Sequence, residues 1–167
     1  MNIYFSALIL VGGALLQSSL APHLSVVGIK PGIVLTLVVS WSVIRGASEG
    51  VTWGFIGGLA LDLLSGAPVG LSALTLMMVG FLTNLGETSL FKSSLVLPLF
   101  AVFVASVLSD AVQLVLLRGF GWNLPWWEAM GSVAVPAALL NAVIMPIVYL
   151  PLQWLNRRTQ TEGELPW

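Results

Sequence analysis

Hydrophobic residues in this chain fall into long runs, broken at intervals by glycine, proline and charge. The runs predict six helices, approximately Ile3 to Leu20, Pro31 to Ile44, Ala47 to Leu64, Leu71 to Leu85, Ser93 to Leu117 and Val133 to Leu155. Between them lie residues that helix interiors avoid: Pro22, Gly28 to Gly32, Arg45-Gly46, Ser65-Gly66-Ala67-Pro68, Asn84 to Gly86, and Gly119 to Pro125. Each marks a reversal, so the expected path runs up and down through short loops. The third run is the weakest, because Val51 to Leu64 alone rises only about 21 Å against a hydrocarbon core of about 30 Å. It has to begin near Ala47, with Glu49 at the interface, or end inside the bilayer.

Composition then names the solvent. Of 167 residues, 57% are hydrophobic and 8% charged, whereas a soluble domain carries about 25% charge to face water. The expectation is an all-α membrane protein: one bundle of six transmembrane helices with short loops over residues 1–155, and a short cytoplasmic tail, 156–167, without helical periodicity. The first run lacks the basic region of a secretory signal and is read as a retained helix. Arg45, Lys92, Arg157 and Arg158 fall on one side of this topology and Lys30 and Arg118 on the other, which places both termini in the cytoplasm. Trp122, Trp126 and Trp127 then form an outer aromatic belt. A net charge of −1 argues against a nucleic-acid partner, and the absence of cysteine removes disulfides and thiolate chemistry.

Against this background the few polar residues inside the runs carry the functional question. At about 1.5 Å of rise per residue, Gln17, Asp62, Asp110 and Asn141 reach similar depth in the outer half of four different helices. They are expected to face inward as one polar layer, either a hydrogen-bonded lock or the floor of a ligand cavity. Gly54 and Gly58 share a helix face with Asp62, and Ala101 and Ala105 form a second small-residue face with Ser109. Both faces suit close helix packing or a partner interface. Gly66 and Gly70 repeat the spacing around Pro68, which favours a tight outer turn.

Catalysis finds little support. His23 is the one histidine and belongs to a loop, so a serine–histidine mechanism lacks its base within the spans. Two carboxylates cannot make a zinc site of three or four ligands, and neither a metal nor any other cofactor is expected. An intramembrane aspartyl peptidase using Asp62 and Asp110 is the best enzyme alternative. The segment GGLALDLL has a passing likeness to lipoprotein signal peptidases, but Asp62 sits between leucines and Asp110 between Ser109 and Ala111, without the asparagines and arginine of those motifs.

Several segments together resemble the rod shape-determining protein MreD family: LLQSSLAPHL (Leu15 to Leu24), IKPG (Ile29 to Gly32), RGASEGVTWGFIGGLALDLLSGAPVGLSAL (Arg45 to Leu74), Gly80, and LLNAVIMPIVYLPLQWLNRR (Leu139 to Arg158). One departure is Gly32, where an acidic residue is expected after the Lys30-Pro31 pair. The resemblance implies a non-catalytic multi-pass protein of the bacterial cytoplasmic membrane. It would bind an MreC-like single-pass protein and, through it, help couple MreB filaments to RodA and a class B penicillin-binding protein. The implied output is lateral peptidoglycan synthesis and rod shape, and the architecture leaves room for a homodimer within a larger complex. The family is also similar in architecture to the substrate-binding components of energy-coupling-factor transporters, so a small-molecule or vitamin transport component is the second functional class. The alanine ladder those components use for docking is missing: Ala7 is followed by Val11, and Ala14 by Ser18.

Overall fold

The computed structural model describes residues 3–20, 31–66, 68–85, 96–119, 121 and 130–161. They form six α-helices, α1 Ile3–Leu20, α2 Ile33–Arg45, α3 Ala47–Ser65, α4 Leu71–Leu85, α5 Val96–Gly119 and α6 Val135–Thr161. The last is entered through one π-helical turn, Met130–Ala134. No strand occurs among the described residues, so the all-α expectation holds. His23, Lys30, Lys92 and the Trp122, Trp126, Trp127 belt lie outside the described residues.

Helix α2 forms the middle of the molecule. Its residues Val34 to Ser42 are all buried, and it packs against each of the other five helices. A helix apolar on every side is one enclosed by neighbours. The outward faces of those neighbours are apolar as well: Leu139, Val143, Ile147, Leu150 and Trp154 run exposed along α6, and Tyr4, Leu8 and Leu15 along α1. Exposed apolar stripes of this length suit hydrocarbon better than water. Two helical stretches, Pro98–Gly119 and Met130–Thr159, are long and apolar enough to cross a membrane. By contrast α2, with 13 residues, and α4, with 15, rise only ~20 and ~22 Å against a core of ~30 Å.

The closest helix pair is α3 with α4, and glycine makes it so. A Cβ on Gly54 would lie 2.5 Å from the Leu76 carbonyl oxygen, and one on Gly80 would lie 2.6 Å from that of Gly50. One on Gly58 would collide with the Ala73 backbone. Gly50, Gly54 and Gly58, four residues apart, therefore form a groove in α3 that receives the α4 backbone. Ser42 of α2 closes the third side, donating to the Gly80 carbonyl at 2.6 Å.

At the far end of the bundle, Trp41 and Trp53 stack with centroids 4.5 Å apart. Trp41 Nε1 donates to Glu49 at 2.8 Å, and Arg45 lies 3.7 Å from the same carboxylate. Arg45 also donates to Thr159 Oγ1 at 3.1 Å, and Arg158 lies over the Trp154 ring. These contacts account for a difference from the sequence expectation: α6 does not stop at Leu155 but continues to Thr161, because its last turn is tied to α2.

Candidate functional site

Two helices begin on the same side of the bundle, α2 after Gly32 and α4 after Gly70. Each exposes N–H groups with no partner inside its own helix. A helix whose start is exposed can leave these to water; one whose first N–H groups are buried cannot. Neither supplies the usual local cap, since glycine occupies the position where Ser, Thr, Asp or Asn would serve. The caps come from other helices instead.

For α4 the cap is Asp62 of α3. Its carboxylate accepts from the backbone N–H of Gly70 at 2.8 Å, Ser72 at 2.9 Å and Ala73 at 3.3 Å. The side chain is 2% exposed. Three backbone donors and the positive end of the α4 dipole together stabilise a buried negative charge. The intervening turn makes this reach possible, because Gly66 and Gly70 adopt φ of +67° and +101°, values that suit glycine. A Cβ at either would meet open space, so these two glycines shape the turn and do not pack helices.

For α2 the caps are neutral amides. Gln17 Oε1, from α1, accepts from the Val34 N–H at 3.0 Å, and Asn141 Oδ1, from α6, accepts from Gly32 at 2.7 Å. The other end of the Asn141 amide donates to Ser106 Oγ of α5 at 3.0 Å. Gly32 leaves room for this, as a Cβ there would stand 2.9 Å from Asn141 Nδ2. One amide thus joins α2, α5 and α6.

The fourth polar residue differs. Asp110 of α5 lines a cavity of about 150 Å³ together with Gln17, Asn141, Ser72 and Gln113. Asp62 does not line it; the layer expected to join all four residues places three on the cavity and one behind the α4 N-terminus. Ser72 links the two parts, with its N–H on Asp62 and its residue on the cavity wall. No hydrogen bond from the described residues reaches the Asp110 carboxylate. Ala101 is half-buried and Ala105 buried on α5, both against the hydrophobic core.

Two contributors were not singled out in the sequence. Ser106 is buried, and with Ser109, Asp110 and Gln113 it follows the i, i+3, i+4, i+7 pattern of one helix face, a signal that was readable. Gly50 extends the Gly54, Gly58 ladder by one turn and was equally readable. Among the described residues no group of three His, Cys, Asp or Glu side chains gathers to hold a metal. The Asp62 oxygens are committed to backbone N–H donors, which leaves that carboxylate poorly placed to exchange protons with a substrate.

No curated protein and no solved structure matches the chain. The family model described as rod shape-determining protein MreD matches residues 1–159, a stretch that includes Asp62 with its turn, the glycine groove and both short helices. With a match of that extent, the chain belongs to the MreD family of rod shape-determining membrane proteins.

Proposed function

We propose that this protein is a non-catalytic, six-span scaffold of the bacterial elongation machinery, with both termini in the cytoplasm. It binds an MreC-like single-pass protein and helps couple MreB filaments to peptidoglycan synthesis by RodA and a class B penicillin-binding protein. The observation that carries this reading is the family match over residues 1–159. Physical features support it. The polar residues serve chiefly to start helices, and the exposed faces of α1, α5 and α6 are apolar surfaces that another membrane helix could cover. The glycine groove is filled by α4 of the same chain and is not offered to a partner.

The test is photo-crosslinking in native membranes, with probes at exposed Tyr4, Leu15, Val104, Val143 and Ile147, followed by co-purification with the MreC-like protein. Crosslinks confined to one helix face, with loss of rod shape when that face carries charge, are the expected result. Absence of any crosslink to that partner, together with unchanged cell shape on depletion of this chain, would contradict the proposal.

A further inference from the structure

The cavity beside the α2 N-terminus contains a carboxylate that the bundle does not use. Gln17 and Asn141 are occupied in capping α2, and Asp62 in capping α4. Asp110 is left facing the cavity, with no cationic side chain among the described lining residues and no hydrogen bond from them. A partly buried ionised carboxylate without a partner is costly, and either a proton or a bound cation relieves it. The α2 dipole supplies only about half a positive charge, and that of α4 is already offset by Asp62.

The lining also indicates the shape of the missing charge. Ser109 and Gln113 stand one turn or less from Asp110 on α5, and hydroxyl and amide oxygens accept hydrogen bonds. A primary ammonium has three donors for such a set. A quaternary ammonium has none and is held by aromatic faces, and no aromatic side chain lines the cavity among the described residues. The volume of about 150 Å³ equals that of an engineered cavity able to hold benzene, ~6 heavy atoms, so an aminoethyl group fits.

We propose that this cavity is a binding site for a primary ammonium group, held by Asp110 with Ser109 and Gln113, and supplied by a phosphatidylethanolamine headgroup or a free small amine. The site is separate from the partner surfaces and does not depend on them.

The experiment uses the full-length protein in two arms. In the first, it is placed in nanodiscs of phosphatidylethanolamine, phosphatidylcholine and phosphatidylglycerol in equal parts, re-extracted, and its retained lipid quantified by mass spectrometry. In the second, ethanolamine and choline are titrated onto protein in discs lacking phosphatidylethanolamine, with thermal unfolding as readout. The expected result is at least ~10-fold preference for the ethanolamine form over the choline form in one arm. Preference in the lipid arm alone identifies the headgroup as the source; preference in the second identifies a free amine. Asp110→Asn brings the preference close to parity, and Asp110→Glu retains most of it. Should Asp110→Asn fail to fold, the wild-type preference and its retention in Asp110→Glu decide. Equal treatment of the two headgroups in both arms by the wild-type protein overturns the proposal. So does full selectivity in a folded Asp110→Asn protein, or stabilisation by sodium chloride equal to that by ethanolamine.

Discussion

Asp62 shows how a single side chain can look like chemistry and act as structure. A carboxylate among leucines and glycines at hydrocarbon depth is by default a functional candidate, and the structure assigns its oxygens to the first N–H groups of α4. Its sequence distance from Gly70, only eight residues, conceals a helix end, a turn and a helix start. Burial magnifies the consequence of removing it, since the Ser72 and Ala73 N–H groups left behind are buried. Asp62→Ala is expected to destabilise the protein by roughly 2–4 kcal/mol, the sum of a lost charged cap and several unsatisfied donors. The measurement is unfolding in detergent, paired with hydrogen exchange: amides of Leu71 to Thr75 should exchange much faster while those of α6 do not. Unchanged protection at the start of α4 would sink the capping account. Placement by helical rise puts Gln17, Asp62, Asp110 and Asn141 at one depth, and Gln17, Asp110 and Asn141 line one cavity. Asp62 instead meets the α4 N–H groups, because its side-chain direction depends on the Gly66 to Gly70 turn, which spacing alone does not describe.

At the level of elements, the helices with most to explain are the two that are too short. α2 and α4 begin inside the bundle, so their N-termini must be finished by neighbours, and the polar layer follows from that. Gly32 is part of the same logic. An aspartate at this N-cap could accept from Val34 or Leu35 itself, whereas glycine hands the task to Gln17 and Asn141. A double-mutant cycle checks this. Gln17→Ala is expected to cost about 1 kcal/mol in the natural sequence and close to nothing once Gly32→Asp supplies a local cap, with Asn141 shifting slightly to admit the new Cβ. Equal costs in both backgrounds would mean that Gln17 does not act on α2.

The α3–α4 contact yields a sharper outcome. At Gly54 any side chain meets the Leu76 carbonyl, which belongs to backbone and cannot rotate aside. Gly54→Leu is therefore expected to lower stability by about 3 kcal/mol or prevent folding, while Gly12→Leu, in open space on α1, stays near wild type in the same unfolding assay. Similar behaviour of the two variants would contradict the groove. Helix positions were readable to within a few residues because apolar runs end at glycine and proline. The extension of α6 to Thr161 was not, as it depends on Arg45 from α2 and on the Trp154 ring beneath Arg158.

For the molecule as a whole, the described residues form a bundle in which Gln17, Asp62 and Asn141 look inward to start helices and α1, α5 and α6 present exposed apolar side chains. The proposed scaffold would work by being the right surface in the right orientation. The proposed scaffold therefore depends on its topology: six crossings, with the turn between α3 and α4 outside and the turn between α2 and α3 in the cytoplasm. The chain has no cysteine, so single-cysteine reporters can be read without background. Three exposed positions suffice, Ser48, Val69 and Arg118, labelled in intact cells with a membrane-impermeant maleimide and again after permeabilisation. The account predicts that cysteines at 69 and 118 are labelled from outside and that the one at 48 reacts only after permeabilisation. Labelling of 48 and 69 from the same side would mean that α3 does not cross the membrane, and the six-span scaffold would be wrong.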